Sequence, residues 1–112
     1  MDMSTALAPA PLHILLALAG GPRHGYGILQ AVRDLSADRV RLGTGSLYRH
    51  LSRLIASGLV AETDARPADP RRGVSYRLTA RGYRALAAER TRVSALLASL
   101  DAAVRHARKG SV

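Results

Sequence analysis

The pattern of apolar and polar positions divides the chain into helical and alternating stretches, separated by breaks of glycine, proline and polar residues. Residues 12–19 are nearly all apolar. They predict a short helix, either buried or partner-facing, that ends at the glycines and proline of 20–22. A second helix is expected after a turn at 25–27. Its apolar face would consist of Ile28, Val32 and Leu35.

The third stretch, residues 44–57, also has a helical period. Thr44 is suited to cap the first turn of this helix, and Gly58 is suited to the left-handed position after its last turn. The connector before it contains Val40 and Leu42, which allow a short strand. The apolar residues of the third helix share one face and predict a buried stripe: Leu47, Leu51, Leu54 and Ile55.

After the third helix the period changes from helical to alternating. Residues 59–63 and 74–78 predict two strands, joined by a loop at 64–73 that contains two prolines and three arginines. The pair is therefore expected to be a β-hairpin with a long basic tip. In the second strand one side would carry Val74, Tyr76 and Leu78.

Three helices followed by a hairpin is the order of a winged helix-turn-helix, so the expected fold class is mainly α with a small β-hairpin. At 100° per residue, Arg49 and Arg53 fall nearly opposite the apolar stripe of the third helix. One face would hold this helix to the core, and the other would place long hydrogen-bonding side chains in a major groove of DNA. The small residues that flank the two arginines are Ser46, Ser52 and Ala56.

Two glycine-containing segments are candidates for contact with the DNA backbone. Residues 43–46 precede the third helix, and the free N–H groups of a helix start suit a phosphate; an ordinary helix start is the alternative. The loop at 64–73 is a basic wing that could follow phosphates or enter a minor groove; a solvated charged loop is the alternative. The wing residues concerned are Arg66, Arg71, Arg72 and Gly73.

The last stretch predicts one long helix, 80–108, capped by Thr79 and about 45 Å long at 1.5 Å per residue. Its apolar residues recur at the spacing of a coiled-coil seam, which Arg90 interrupts once. The three short helices cannot cover a helix of this length, so the stripe predicts a second copy of the chain. Folding back on its own domain is the alternative. The seam comprises Tyr83, Leu86, Arg90, Val93, Leu97, Leu100, Val104 and Ala107.

Several segments together resemble the PadR family of transcriptional regulators over about 12–108, nearly the whole chain. No single motif is decisive, but their order and spacing are specific. The segments are Leu12-His13-Ile14-Leu15-Leu16-Ala17-Leu18, His24-Gly25-Tyr26, Gly45-Ser46-Leu47-Tyr48-Arg49-His50-Leu51, Gly58-Leu59-Val60 and Tyr76-Arg77-Leu78-Thr79-Ala80-Arg81-Gly82.

The resemblance implies a homodimeric winged-helix repressor that binds a pseudo-palindromic operator in double-stranded DNA. The third helix would read DNA and the last helix would form the dimer. Leu12, Leu15 and Leu16 of the first helix would pack against the partner's last helix. A small-molecule effector at the dimer interface is left open, since some relatives bind planar aromatic ligands there. This chain lacks the tryptophan on which such a ligand would stack.

Two departures from the family pattern change the expected DNA contacts. Arg49 stands where many members have proline, so the third helix would have one more DNA contact. Val74-Ser75 stands where members often carry lysine or arginine, so the basic side chains expected to act in the wing are Arg71 and Arg72 instead. The predicted DNA-contacting residues, including two tyrosines expected either to pack or to contact phosphates, are Thr44, Ser46, Tyr48, Arg49, Ser52, Arg53, Arg71, Arg72, Gly73 and Tyr26.

Composition excludes several classes of protein. The chain has 112 residues and a net charge of +9, and all of its basic residues except Lys109 are arginines, which fit phosphates and guanine edges. It has no cysteine, so a disulfide framework or thiolate zinc site is excluded. Without histidine clusters or catalytic motifs, no enzyme, cofactor or metal site is expected. Without a membrane span or signal peptide, the expected location is cytoplasmic.

Three classes of function remain, with a DNA-binding regulator leading. An RNA-binding basic domain would usually offer an aromatic stacking platform, which is lacking here. A winged-helix protein-interaction module would present apolar rather than basic residues on the third helix. The expected organisation is a disordered tail at 1–10, a winged helix-turn-helix domain at 11–79, a dimerisation helix at 80–108 and a tail at 109–112.

Overall fold

The computed structural model describes residues 6–63 and 73–110. In that part of the chain, the fold is mainly helical with a small antiparallel sheet, as the sequence predicts. The elements, in chain order, are α1 (Pro9–Ala19), β1 (Arg23–His24), α2 (Gly25–Leu35), α3 (Thr44–Ala56), β2 (Val60–Glu62), β3 (Ser75–Leu78) and α4 (Ala80–Gly110).

Helix α1 begins earlier than expected, inside the segment 1–10 that was predicted to be a disordered tail. Its first residue is Pro9, whose missing N–H costs nothing in the first turn of a helix. The helix ends before Gly20, as predicted. Arg23 donates from Nε to the carbonyl oxygen of Ala17 at 2.8 Å, so its cation satisfies one of the last carbonyls of the helix. The buried residues are Ile14, Leu15, Ala17 and Leu18.

Strand β1 is an element that the sequence did not predict. It is only two residues long, and it pairs Arg23 with Tyr76 and His24 with Ser75 at the edge of the sheet. Helix α2 follows at once and begins at Gly25, so the predicted turn at 25–27 is in fact the first turn of this helix. The expectation that Leu35 shares the buried face of α2 is also wrong, because its side chain is exposed.

The connector between α2 and α3 contains no strand, so the short strand allowed by Val40 and Leu42 is wrong. Both side chains instead pack against the core. The connector turns through Ala37 and Asp38, which adopt φ values of 51° and 68°. The hydroxyl oxygen of Ser36 accepts the N–H of Val40 at 2.9 Å. This local side-chain bond replaces the strand partner that the backbone would otherwise need.

The sheet has the order β1-β3-β2, with both pairings antiparallel. Val60 lies opposite Leu78, and the N–H of Thr63 donates to the carbonyl oxygen of Ser75 at 2.9 Å. Tyr76 and Leu78 are buried, whereas Val74, which was expected on the same side of the strand, is exposed and precedes the strand. The predicted basic tip lies largely outside the described residues.

The hydrophobic core lies where α1, α2 and α3 pack on one face of the sheet. Full burial of one aliphatic side chain contributes about 1.5–3 kcal/mol, so a core of this size holds three short helices that would not persist alone. The largest fully buried side chains are Ile14, Leu15, Leu18, Ile28, Leu47, Leu51, Val32 and Val60.

Helix α4 is attached to this core at a close contact with the turn after α3. Thr79 caps the helix as predicted, because its Oγ1 accepts the N–H of Gly82 at 3.0 Å. The same hydroxyl donates to the carbonyl oxygen of Gly58 at 2.7 Å. The backbone N–H of Thr79 donates to the carbonyl oxygen of Leu59 at 3.1 Å. A Cβ on Gly82 would lie 2.3 Å from the Leu59 oxygen, so only glycine fits there.

Beyond Glu89, helix α4 leaves the core. Every residue from Arg90 to Gly110 is exposed in the single chain. The helix includes Lys109 and Gly110, which were expected to belong to a tail. Among the described residues, no helix combines the length and the hydropathy that a bilayer span requires.

Candidate nucleic-acid interface

Helix α3 presents two chemically different faces. Leu47, Leu51 and Leu54 are buried against the core, as predicted. On the opposite side, Arg49 and Arg53 are exposed. The one wrong assignment in the stripe is Ile55, which is 36% exposed because it lies at the edge of the buried face. The helix therefore offers an outward surface of two guanidinium groups, with the exposed Ser52 to one side of them.

The first of these arginines is oriented by a neighbour on its own helix. Arg49 donates from Nη2 to the Oγ of Ser46 at 3.0 Å, one turn earlier. An arginine has five N–H donors, so this bond leaves most of them for a ligand. The pair directs the guanidinium toward the amino end of α3, the end of a recognition helix that usually contacts base edges.

The amino end of α3 is open to solvent. The prediction that Thr44 caps the helix is wrong, because Thr44 is the first helical residue. Gly43 is at the cap position, and no side chain bonds there as a cap. The N–H of Leu47 is bonded to the oxygen of Gly43 at 3.0 Å, and the N–H groups before it have no acceptor within the helix. A Cβ on Gly43 or Gly45 would meet nothing within 4 Å, so a phosphate has room to approach.

Two of the predicted DNA-contacting residues are tyrosines, Tyr48 on α3 and Tyr26 on α2. The phenol of Tyr48 lies against Gly25 at the start of α2, where an added Cβ would be only 2.7 Å from its hydroxyl oxygen. Tyr26 is 71% exposed, and its hydroxyl oxygen accepts a bond from Nε2 of Gln30 at 3.3 Å. The contact at Gly25 was not predicted, because it depends on the packing of α3 against α2.

A third tyrosine, Tyr76 on β3, is buried beneath this surface. Burial raises the pKa of its phenol, and the neighbouring Tyr48 and Glu62 raise it further. Its hydroxyl is protonated at neutral pH, as an ordinary phenol is, and the raised pKa keeps it protonated further into the alkaline range. It serves the site as a packed support rather than as a charged contact.

The basic wing is the part of the predicted interface that the structure does not test. Arg66, Arg71 and Arg72 lie outside the described residues. Gly73, at the base of the wing, is exposed and has a φ of +74°, a conformation that favours glycine. The DNA contacts assigned to the wing stay predictions.

The predicted dimerisation face of α4 is exposed along most of its length. Leu86 is an exception, because it is half-buried and packs against the chain's own core. Sequence spacing missed Leu96, which flanks the strict seam and widens the apolar surface. The exposed large apolar side chains of this helix are Tyr83, Val93, Leu96, Leu97, Leu100 and Val104.

The contribution expected from α1 is smaller than predicted. Leu15 has an exposed fraction of 0%, so its side chain lies in the chain's own core and offers no surface to a partner. Leu12 is half-buried, and Leu16 is exposed. Only the outer edge of α1 is therefore available to a second copy.

Comparison with known proteins gives the chain a family. The model of the PadR-like family of transcriptional regulators matches residues 14–88, about two thirds of the chain. A crystal structure of a PadR family transcription regulator from Clostridium difficile R20291 superposes with a TM-score of 0.72 at 19% identity, over 87% of this chain and 99% of that one. RosR of H. salinarum is 25% identical with a TM-score of 0.60, over 87% of this chain and 96% of that one.

One curated relative is more similar but matches over a shorter stretch. An uncharacterised 37.1 kDa protein in transposon TN4556 of Streptomyces fradiae is 51% identical over 51 residues, which is 46% of this chain. The match spans only 14% of the length of that relative. The family model covers α2, α3, the sheet and the start of α4. These elements include α3, with its buried and exposed faces, and the parts of the fold against which it packs. The chain therefore belongs to the PadR-like family of transcriptional regulators.

Proposed function

We propose that the protein is a homodimeric, sequence-specific DNA-binding regulator that places α3 of each copy in a major groove. The observation that carries this proposal is that α3 has one buried apolar face and one exposed basic face. Its apolar face is buried, while Arg49 and Arg53 project from the opposite face. An arginine that reaches a guanine donates two hydrogen bonds to O6 and N7, which distinguishes that base from the other three.

The surroundings of α3 favour DNA over the other partners. The open amino end of the helix has room for a phosphate, and the exposed phenol of Tyr26 on α2 can donate to another. A protein-interaction module would need an apolar outer face on α3, and this face carries arginine and serine instead. We further propose that the wing at 64–73 follows the backbone beside the groove.

The second copy is proposed from the exposed stripe of α4. Leu97, Leu100 and Val104 are each more than half exposed along a helix that the chain itself does not cover. Burying these side chains against an equivalent helix would contribute about 25 cal/mol for each Å² removed from water. Two copies related by a twofold axis would read two half-sites of an inverted repeat. Repression, and an effector at the dimer interface, stay predictions within this proposal.

The experiment that tests DNA recognition is selection of random double-stranded DNA with the purified protein. We expect an enriched inverted repeat with half-sites about 34–36 Å apart. The double variant Arg49→Ala/Arg53→Ala is the matched control, and it should enrich no repeat. Failure of the wild-type protein to enrich any sequence, while it binds RNA or an acidic protein, would refute the proposal.

The dimer is tested separately by sedimentation. Leu97→Arg places a charge in the seam and should convert dimers to monomers at micromolar concentration. Ala102→Arg introduces the same charge on the opposite side of α4, where residues are also exposed, and should leave the dimer intact. A wild-type protein that sediments as a monomer would remove the dimer from the proposal.

A further inference from the structure

A buried carboxylate lies where α4 leaves the core. Glu89 is 5% exposed, although glutamate is almost never buried without a partner. Its Oε1 accepts a bond from Nε of Arg92 at 2.8 Å and a second bond from Nη2 of the same side chain. Its Oε2 accepts the backbone N–H of Leu7 at 3.3 Å, from the other end of the chain. Both of its oxygens are therefore bonded, which offsets the cost of burying the charge.

The position of Leu7 explains why an anion suits this place. Leu7 comes just before Ala8, the cap residue of α1, and α1 has no side-chain cap of its own. The amino end of a helix favours a negative charge. The Arg92 guanidinium, together with the Leu7 N–H, holds the pKa of the Glu89 carboxyl below its usual value. The carboxylate is thus a bridge between α4 and the start of α1.

Among the described residues, α4 is held to the rest of the chain by this bridge, by the close contact around Gly82, and by Ala85 and Leu86, which pack against the core. Without the bridge, the other contacts lie within the first two turns of the helix and would let it tilt there. Glu89 lies seven residues beyond Gly82 along the helix, about 10 Å away. From Leu86 to Gly110 the helix is about 36 Å long, so a tilt of about 10° around Leu86 would move its end by about 6 Å.

We propose that Glu89 is a positioning residue for DNA recognition. By binding the backbone at the start of α1, it sets the angle between α4 and the winged domain. In a dimer formed through the exposed part of α4, that angle determines the distance between the two α3 helices. The proposal rests on the proposed function for this last step only, since the angle itself is a property of the single chain.

The angle can be measured directly, because the chain has no cysteine that would react with a label. We would introduce Arg39→Cys in the connector and Ala102→Cys on α4, both at exposed positions, and attach spin labels. Dilution with unlabelled protein leaves only distances within one chain. We expect a narrow distance distribution for the wild-type background and a broader one, shifted by several ångströms, for Glu89→Leu.

Two further variants separate the bridge from general effects of charge and folding. Glu89→Gln keeps an oxygen that can accept the Leu7 N–H but loses the ion pair, so its distribution should be intermediate. Asp101→Asn removes an exposed carboxylate of the same helix and should leave the distribution unchanged. Circular dichroism checks that each variant is folded. If Glu89→Leu does not fold, Glu89→Gln carries the test. A folded variant at Glu89 with the wild-type distribution would overturn the proposal.

The consequence for DNA is measured with operators whose half-sites are moved apart. One added base pair shifts one half-site by about 3.4 Å along the DNA axis and rotates it by about 34–36° around that axis. The wild-type protein should discriminate strongly against this operator, and Glu89→Leu should lose that discrimination several-fold while remaining a dimer by sedimentation. Unchanged discrimination in a variant with a broadened distance distribution would refute the link to DNA spacing. Absence of DNA binding by the wild-type protein would instead refute the proposed function and leave the distance result standing.

Discussion

Replacing Gly82 by alanine tests how tightly α4 is held to the winged domain. The added methyl carbon would lie 2.3 Å from the carbonyl oxygen of Leu59 and 2.6 Å from Cδ1 of Leu78. The leucine side chain can rotate away, but the carbonyl oxygen belongs to the backbone beside β2. The start of α4 must therefore move by at least 1.1 Å to lengthen the 2.3 Å approach to the 3.4 Å of an ordinary van der Waals contact.

This movement lowers the free energy of unfolding. It stretches the bond from the N–H of Thr79 to the Leu59 oxygen and the bond from the Thr79 hydroxyl to the Gly58 oxygen. Overpacking costs about 1–3 kcal/mol, and each weakened hydrogen bond costs up to about 1 kcal/mol. Alanine recovers up to about 1 kcal/mol because it favours the helix. The net loss of unfolding free energy should be about 2 kcal/mol.

The assay is urea unfolding followed by circular dichroism, at one fixed protein concentration because a dimer is stabilised by mass action. The matched control is Gly45→Ala in the first turn of α3, where the new methyl group meets nothing within 4 Å. This control should raise the stability by up to about 1 kcal/mol. If Gly82→Ala is as stable as Gly45→Ala, then the close approach at Gly82 does not hold α4 in place.

Three further predictions concern the DNA surface and the carboxylate. Arg49→Ala should cost about 1–3 kcal/mol of operator affinity and relax the preference at one base pair; a loss that is equal for all sequences would instead indicate a phosphate contact. Gly25→Ala should displace the exposed phenol of Tyr48 at little cost in unfolding free energy but should weaken DNA binding, which a filter-binding assay beside urea unfolding would detect. Glu89→Gln should be less stable than the wild-type chain above pH 4.5, and the difference should shrink as the pH falls through the lowered pKa of the folded-state carboxyl. A difference in stability that does not change with pH would contradict this assignment.

The sequence predicted the features that depend on local periodicity. The stripe on α3, the cap at Thr79 and the glycine after α3 follow from residues within a few positions of each other. Gly58 has a φ of +78°, as the end of a helix often requires. The interpretation of the chain as a transcriptional regulator rather than an enzyme is confirmed by its family.

The features that the sequence did not predict depend on contacts between distant segments. Strand β1 is two polar residues, Arg23 and His24, and only its pairing with β3 makes it a strand. The burial of Glu89 depends on Leu7, which is 82 residues away. Leu15 lies on an almost entirely apolar helix, and periodicity cannot tell which side of such a helix faces its own core.

In the proposed dimer, the exposed part of α4 would couple assembly to helix formation. Its 21 residues beyond Glu89 are all exposed in the single chain, whereas most of the stability of helices in proteins comes from packing of an apolar face. In a dilute solution of monomers, this segment would unravel from its carboxyl end toward the core. The ellipticity of the protein at 222 nm should therefore rise with concentration, and it should reach its plateau at the concentration where the dimer forms.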